Sequence, residues 1–251
     1  MIDTPYFLLL RWLVFTGVVL IGWVIVWDQG LLNALLAADA SRLSMIIIVI
    51  FVATCAHAGW VVARLSRQLD QLRVAYEWLR GDDQSDIDIV SGQVVIGGQR
   101  SLPPGFLSDH IGNLVRKYRS GRGAQRSIAD QSQLLEALSK RIKSPYQIGW
   151  VIADLMIKLG LLGTVIGFIL MLRAVSQIGE FDITTLQTML VGMSGGMRVA
   201  LLTTLSGLVG GILTGLQYHM AERGAEELIA GITEITEVYV VPRLDRTPLG
   251  G

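Results

Sequence analysis

Four long apolar blocks divide this sequence, at Phe7–Trp27, Leu43–Ala63, Val151–Leu172 and Val199–Tyr218. A helix needs about 20 apolar residues to cross the hydrocarbon core of a bilayer, and each block supplies that length. Across the chain 51% of residues are hydrophobic, and this excess lies in the blocks rather than being spread evenly. The sequence therefore predicts an all-α fold, a four-span transmembrane helical bundle.

The first block is predicted to be a retained span rather than a secretory signal. Its apolar stretch exceeds the roughly 7–15 residues of a signal core, and the leader before it carries Asp3 and no positive charge. Aromatic side chains near the block ends suit the membrane–water interface; they are Tyr6, Trp27, Trp60, Trp150 and Tyr218.

The basic residues near the block ends predict the orientation. One side carries Arg64, Arg67, Arg73, Lys140, Arg141, Lys143 and Arg223, and the other only Arg42, Arg173 and Arg198. The positive-inside rule then places the richer side and both termini in the cytoplasm. The predicted organisation is a transmembrane hairpin at 1–63, a cytoplasmic loop domain at 64–149, a second transmembrane hairpin at 150–218, and a cytoplasmic C-terminal helix and tail at 219–251.

The cytoplasmic parts carry helical patterns that continue the spans. Apolar residues at steps of three and four predict seams after the second span, before the third and after the fourth. These are Leu65, Leu69, Leu72, Tyr76 and Leu79; Ile128, Leu135, Leu138 and Ile142; and Leu228, Ile232, Ile235 and Tyr239. The last helix is expected to stop at Pro242. Within the Gly-, Ser-, Asp- and Pro-rich stretch 81–123, residues 87–98 predict a hairpin with a turn at Ser91-Gly92.

Small residues recur in the third and fourth blocks. Membrane helices associate through close packing of small residues, because lipid tails are as apolar as leucine. The residues concerned are Gly160, Gly163 and Gly167 in the third block and Gly207, Gly211 and Gly215, preceded by Thr203, in the fourth. We predict that these glycines pack helices closely.

Three hydroxyls lie among those glycines, at Thr164, Thr203 and Thr204. Measured from Arg173 and Arg198, Thr164 lies about 13 Å and Thr204 about 9 Å along its helix, at 1.5 Å per residue. In antiparallel helices these are similar depths. Two interpretations stay open: each hydroxyl bonds to its own helix backbone, or together they line a narrow passage for an ion or water.

Two motifs in these blocks resemble those of the MotA/TolQ/ExbB family of ion-driven motor proteins. "GLLGTVIGF" (160–168) is similar to the TolQ/ExbB pattern G-L-L-G-T-V-x-G, and "MRVALLTTLSGLVGG" (197–211) contains A-L-x-x-T-x-x-G-L. The resemblance implies that Thr164 and Thr204 face a pore, with Thr203 as a neighbour. It also implies a homopentamer in a bacterial inner membrane around two copies of a single-span partner, resembling ExbD, TolR or MotB, that supplies a titrating aspartate.

The sequence departs from the family pattern in two respects. It has four spans, as MotA does, whereas its third-span motif is similar to that of TolQ and ExbB, which have three. Val199 stands where TolQ and ExbB carry an acidic residue. These departures indicate a branch that powers a process other than flagellar motility.

Other polar residues in the blocks have either a structural or a functional interpretation. Asp154 and Lys158 share a helix face, either as an ion pair at the membrane edge or as a charged exit between subunits. A lone His57 favours packing or an interfacial position over pH sensing. Arg11 is expected to reach the cytoplasmic interface.

The sequence lacks the motifs of an enzyme. It contains no P-loop, nucleophile elbow or metal-ligand cluster. The residues around His110 and His219 do not form a recognisable catalytic motif with them. Zero formal charge gives no indication of nucleic acid binding, and the single Cys55 excludes an intrachain disulfide. We expect no cofactor and no metal. The alternatives to a motor subunit are a structural membrane scaffold and a small secondary transporter, which would be expected to carry its own intramembrane carboxylate.

Overall fold

The computed structural model describes residues 7–30, 33, 42–81, 87–90, 93–97, 100–119, 128–176 and 183–246. Its helices are α1 Phe7–Asp28, α2 Leu43–Gly81, α3 Phe106–Arg119, α4 Ile128–Ser176, α5 Ile183–Ile235 and α6 Val241–Arg246, with a π turn at Thr236–Val240 between the last two. The strands are β1 Ile87–Val90, β2 Gln93–Ile96 and β3 Arg100–Ser101.

The predicted all-α fold is confirmed. Four helices, α1, α2, α4 and α5, are long and apolar enough to cross a membrane, and each contains one of the four apolar blocks. The helix of the fourth span begins earlier than the sequence predicted. It is α5, which starts at Ile183, well before Arg198. Arg198 is therefore not at a helix end, and the depth of Thr204 cannot be measured from it.

The chain divides into two compact units. We call residues 11–60 and 146–220 the membrane unit, and the described residues within 1–10, 61–145 and 221–251 the polar unit. In the membrane unit, Ile47 and Phe51 of α2 form a buried cluster with Met156 of α4. Trp23 of α1 stacks on Phe51, with ring centroids 6.4 Å apart. Many outward side chains are apolar, as lipid-facing residues are.

His57 forms a polar connection inside the membrane unit. Its Nδ1 lies 2.6 Å from the hydroxyl of Tyr218, whose side chain is completely buried. The ring of Tyr218 occupies the space where Gly149 has no side chain, so any larger residue at 149 would overlap it. This arrangement joins α2, α4 and α5 and gives His57 a packing role.

The predicted seams form the interior of the polar unit. Leu65, Leu72, Leu79, Ile142, Leu228, Ile232 and Ile235 are all buried. Tyr76 of α2 and Tyr239 meet edge to face, with centroids 5.6 Å apart. Both belong to seams that the sequence predicted.

Helix α3 is held at its first residue. The backbone N–H of Phe106 donates to Oε1 of Gln68 at 2.9 Å, which satisfies a donor that the helix itself leaves free. The guanidinium groups of Arg64 and Arg141 lie 5.6 and 5.7 Å from the centroid of the Phe106 ring. Arg141 also pairs with Asp109 at 3.1 Å. These contacts fasten α3 to α2 and α4.

The hairpin predicted at 87–98 is confirmed as the β1–β2 pair. The strands are antiparallel, with Ile87 opposite Ile96 and Val90 opposite Gln93. β3 extends the sheet from β2. The predicted turn at Ser91-Gly92 lies outside the described residues.

The prediction that the last helix stops at Pro242 is wrong. The chain passes through the π turn, in which the N–H of Val241 donates to the carbonyl oxygen of Thr236, five residues back. Pro242 is the second residue of α6, which continues directly from the π turn to Arg246. The proline is therefore accommodated.

We expect α3 to lose stability on acidification through His110. Its side chain is buried, and Nε2 has no hydrogen-bond partner among the described residues. Burial lowers the pKa of His110, because desolvation disfavours the charged ring. The unfolded state then binds more protons, so stability is complete above the ordinary histidine pKa of about 6.5 and falls as the pH drops below it.

Hydrogen exchange of the α3 amides at pH 7.5 and pH 5.5 measures this effect. Protection should decrease at the lower pH in the native protein, and His110→Leu should remove the difference. An equal loss of protection in His110→Leu would assign the acid sensitivity to another group.

Candidate ion pathway

Helices α4 and α5 touch backbone to backbone at Gly160 and Gly207. A Cβ atom added at Gly160 would lie 3.1 Å from Cα of Gly207 and 3.3 Å from Cα of Thr204. A Cβ atom added at Gly207 would lie 2.6 Å from the carbonyl oxygen of Met156. Only glycine allows the helices to approach this closely.

The contact continues along both helices. A Cβ atom added at Gly167 would lie 2.6 Å from the backbone nitrogen of Ala200, and one at Gly211 would lie 2.9 Å from the carbonyl oxygen of Ala153. Gly215 differs, since its added Cβ would meet only the Trp150 ring at an ordinary 3.5 Å. Of the predicted packing glycines, Gly215 therefore has the loosest surroundings.

Sequence reasoning missed Gly196, which lies at the same contact. A Cβ atom added there would lie 2.7 Å from the carbonyl oxygen of Gly167 and 2.7 Å from the backbone nitrogen of Met171. Four-residue spacing could have revealed it, because Gly192, Gly196 and Ala200 continue a stripe of small residues towards the start of α5.

Thr203 lies inside the helix contact. Its side chain is completely buried, and its hydroxyl donates to the carbonyl oxygen of Val199 at 2.7 Å. It occupies the space beside Gly163, where a Cβ atom would overlap the threonine side chain. Within a single chain, Thr203 therefore fills the α4–α5 contact and faces no open surface. Val199 is also buried, at 3% exposure.

Thr204 bridges the two helices. Its hydroxyl lies 2.9 Å from the carbonyl oxygen of Ala200, on its own helix, and 3.0 Å from that of Gly160 on α4. The side chain is half-buried. The hydroxyl thus has two carbonyl acceptors for its one proton, and its oxygen keeps a lone pair available to a further donor.

Thr164 lies in an open groove of about 510 Å³. Its hydroxyl donates to the carbonyl oxygen of Leu161 at 2.5 Å. The other residues that line this outer groove are apolar: Val165, Gly167, Phe168, Met171, Met197 and Ala200. Since Gly160 meets Thr204 and Thr164 follows Gly160 by one turn, the hydroxyls of Thr164 and Thr204 differ in level by about 6 Å.

A second groove, of about 540 Å³, lies between α4 and α5 near the end of the membrane unit. Asp154 and His219 line this inner groove together with Trp150, Ala153, Ile157, Gly211, Ile212, Gly215 and Leu216. Asp154 accepts from Nζ of Lys158 at 2.5 Å, and both side chains are more than half exposed. His219, which sequence reasoning set aside, thus shares a groove with the predicted charge pair.

The described parts of α4 and α5 lack a carboxylate or histidine over most of the membrane unit. None occurs in 159–176 or 183–218. Among the described residues there is also no group of three or more His, Cys, Asp or Glu side chains that could hold a metal ion. Over these segments the polar side chains of the α4–α5 contact are hydroxyls.

The glycine contact and the three hydroxyls lie within one stretch of chain. Residues 114–234 match the model of the MotA/TolQ/ExbB proton channel family. This stretch is a MotA/TolQ/ExbB domain. The match begins near the end of α3 and takes in all of α4 and most of α5, so that α1 and α2 lie outside it. The chain is accordingly a multi-pass membrane protein.

Members of the MotA/TolQ/ExbB family work with partner proteins in complexes. No curated protein and no solved structure matches this chain. The function proposed below therefore rests on the family domain and on the geometry of its helices α4 and α5.

Proposed function

We propose that this protein is the ion-conducting stator subunit of a motor driven by a proton or sodium motive force. Five copies would form a ring around two copies of a single-span partner. Ion flux would turn this ring relative to the partner pair and so perform mechanical work. The observation that carries the proposal is the pair of hydroxyls at Thr164 and Thr204, one helical turn apart beside the α4–α5 glycine contact of a proton channel family domain.

The chemistry of the helix pair supports a partner that brings the titrating group. Hydroxyls relay or coordinate an ion but do not hold a proton near neutral pH. The described segments 159–176 and 183–218 contain no carboxylate or histidine. An aspartate on the partner's single span would supply the missing acid.

The proposed location is a bacterial inner membrane, with the polar unit and both termini in the cytoplasm. The distribution of Lys and Arg residues near the spans supports this orientation. The proposal includes no enzymatic reaction and no cofactor. The process powered would be one other than flagellar rotation, because the third-span motif resembles that of TolQ and ExbB rather than that of MotA.

Native mass spectrometry of the detergent-extracted protein tests the assembly. The protein should be measured alone and after co-expression with a single-span protein that resembles ExbD, TolR or MotB. We expect five copies of the chain, and five with two partner chains after co-expression. The closely packed α4–α5 pair supplies a rigid element from which such a ring can be built.

A monomer or dimer that does not bind the single-span protein would overturn the motor assignment. The scaffold alternative would then stand, with the glycines and threonines serving helix packing alone.

A further inference from the structure

The outer and inner grooves lie on one continuous face of the α4–α5 pair. On α4, a row of residues recurs at alternating steps of four and three, which keeps the row on one side of the helix. The row consists of groove-lining residues and the exposed Leu161: Trp150, Asp154, Ile157, Leu161, Thr164, Phe168 and Met171. On α5 a matching row of steps of three or four is Met197, Leu201, Thr204, Leu208, Ile212, Gly215 and His219. Both pathway hydroxyls therefore share a face with His219.

The inner groove is where this face changes from hydroxyls to ionisable side chains. From α4 the charged groups at the groove are Asp154 and its partner Lys158. From α5 the groove contains His219, and Arg223 follows it by one turn of the same helix. Because Asp154 is already paired with Lys158, its carboxylate is less available to an arriving cation.

His219 has the properties of a proton acceptor at that point. Its side chain is exposed and makes no hydrogen bond to any described residue. Imidazole is the side chain that ordinarily exchanges protons near physiological pH.

We propose that His219 receives protons at the inner end of the ion path, in the groove that it shares with Asp154, and releases them to water. This inference rests on the proposed function. The neutral ring accepts a proton on its free nitrogen, and the imidazolium then loses a proton to water in the open groove. No other reactant is required, and the ring returns to its starting state.

Proton flux into vesicles that contain the co-expressed assembly and an internal pH dye tests this role. The variants are His219→Ala, the same-groove control Leu216→Ala, which removes no titratable group, and Thr204→Val in the hydroxyl region. We expect His219→Ala to reduce flux by about 100-fold, the lower part of the range for removal of a proton-transfer group. Leu216→Ala should stay within about twofold of the native protein. Free imidazole in the buffer should restore flux to His219→Ala, because the groove is open.

Rescue by imidazole separates proton transfer from packing. Equal losses in His219→Ala and Leu216→Ala, with no rescue, would overturn the role of His219. Native flux in His219→Ala together with reduced flux in Thr204→Val would overturn the inference and leave the proposed function intact. No flux from the native assembly above that of empty vesicles would overturn both.

Discussion

Replacing Thr204 by valine should reduce ion flux through the assembly by roughly 5- to 150-fold and leave its native mass unchanged. Valine has nearly the shape of threonine but lacks the hydroxyl that lies between the carbonyl oxygens of Ala200 and Gly160. Removing a hydrogen-bonding group from a water-poor site costs about 1–3 kcal/mol, which corresponds to a roughly 5- to 150-fold reduction in rate. Flux measured in vesicles, beside the mass of the extracted complex, gives both quantities.

Thr204→Ser is the matched control, because serine keeps the hydroxyl and lacks only one methyl group. We expect it to conduct within a few-fold of the native protein. Thr203→Ser, with its hydroxyl inside the helix contact, should also conduct. Unchanged flux in Thr204→Val would reduce this hydroxyl to a packing group and favour the scaffold alternative.

Replacing Gly207 by alanine should destabilise the membrane unit strongly. The added methyl would lie 2.6 Å from the carbonyl oxygen of Met156 and 2.7 Å from Cα of Gly160. Both are backbone atoms, which cannot turn aside as a side chain can, so the two helices must separate. We expect a loss of about 3 kcal/mol or more in the free energy of unfolding, at or beyond the upper end for overpacked cores. Thermal unfolding in detergent measures the loss.

Gly195→Ala gives a control on the same helix. A Cβ atom there meets nothing within 4 Å, so the added methyl disturbs no neighbouring helix, and alanine is the better helix former by about 1 kcal/mol. We expect unchanged or slightly raised stability. Similar losses from both substitutions would show that α5 tolerates no added methyl group for reasons unrelated to its packing against α4.

The features predicted best from the sequence are those encoded by neighbouring residues. Apolar length predicted the four spans, because a membrane helix satisfies its own backbone and needs only enough apolar side chains. Steps of three and four predicted the seams that bury Leu72 on α2 and Leu228 and Ile232 on α5, because helical periodicity is local. The β1–β2 hairpin was predicted from the turn residues Ser91 and Gly92 between two short apolar runs.

Other features depended on partners far away along the chain. His57 and Tyr218 are 161 positions apart, and no local pattern joins them. The adjacent Thr203 and Thr204 differ by only one step of helix rotation, about 100°. That rotation buries Thr203 beside Gly163 and brings the hydroxyl of Thr204 to the carbonyl oxygen of Gly160.

The sequence by itself determined that this chain is a membrane protein with two small-residue helices and three hydroxyls between them. Only the tertiary structure decided which hydroxyl fills a contact, which bridges two helices and which lies in a groove, and it alone brought His219 to the groove of Asp154. The physical reason is that composition and periodicity act along one helix. The surroundings of a side chain depend on the register and rotation of the helix packed against it.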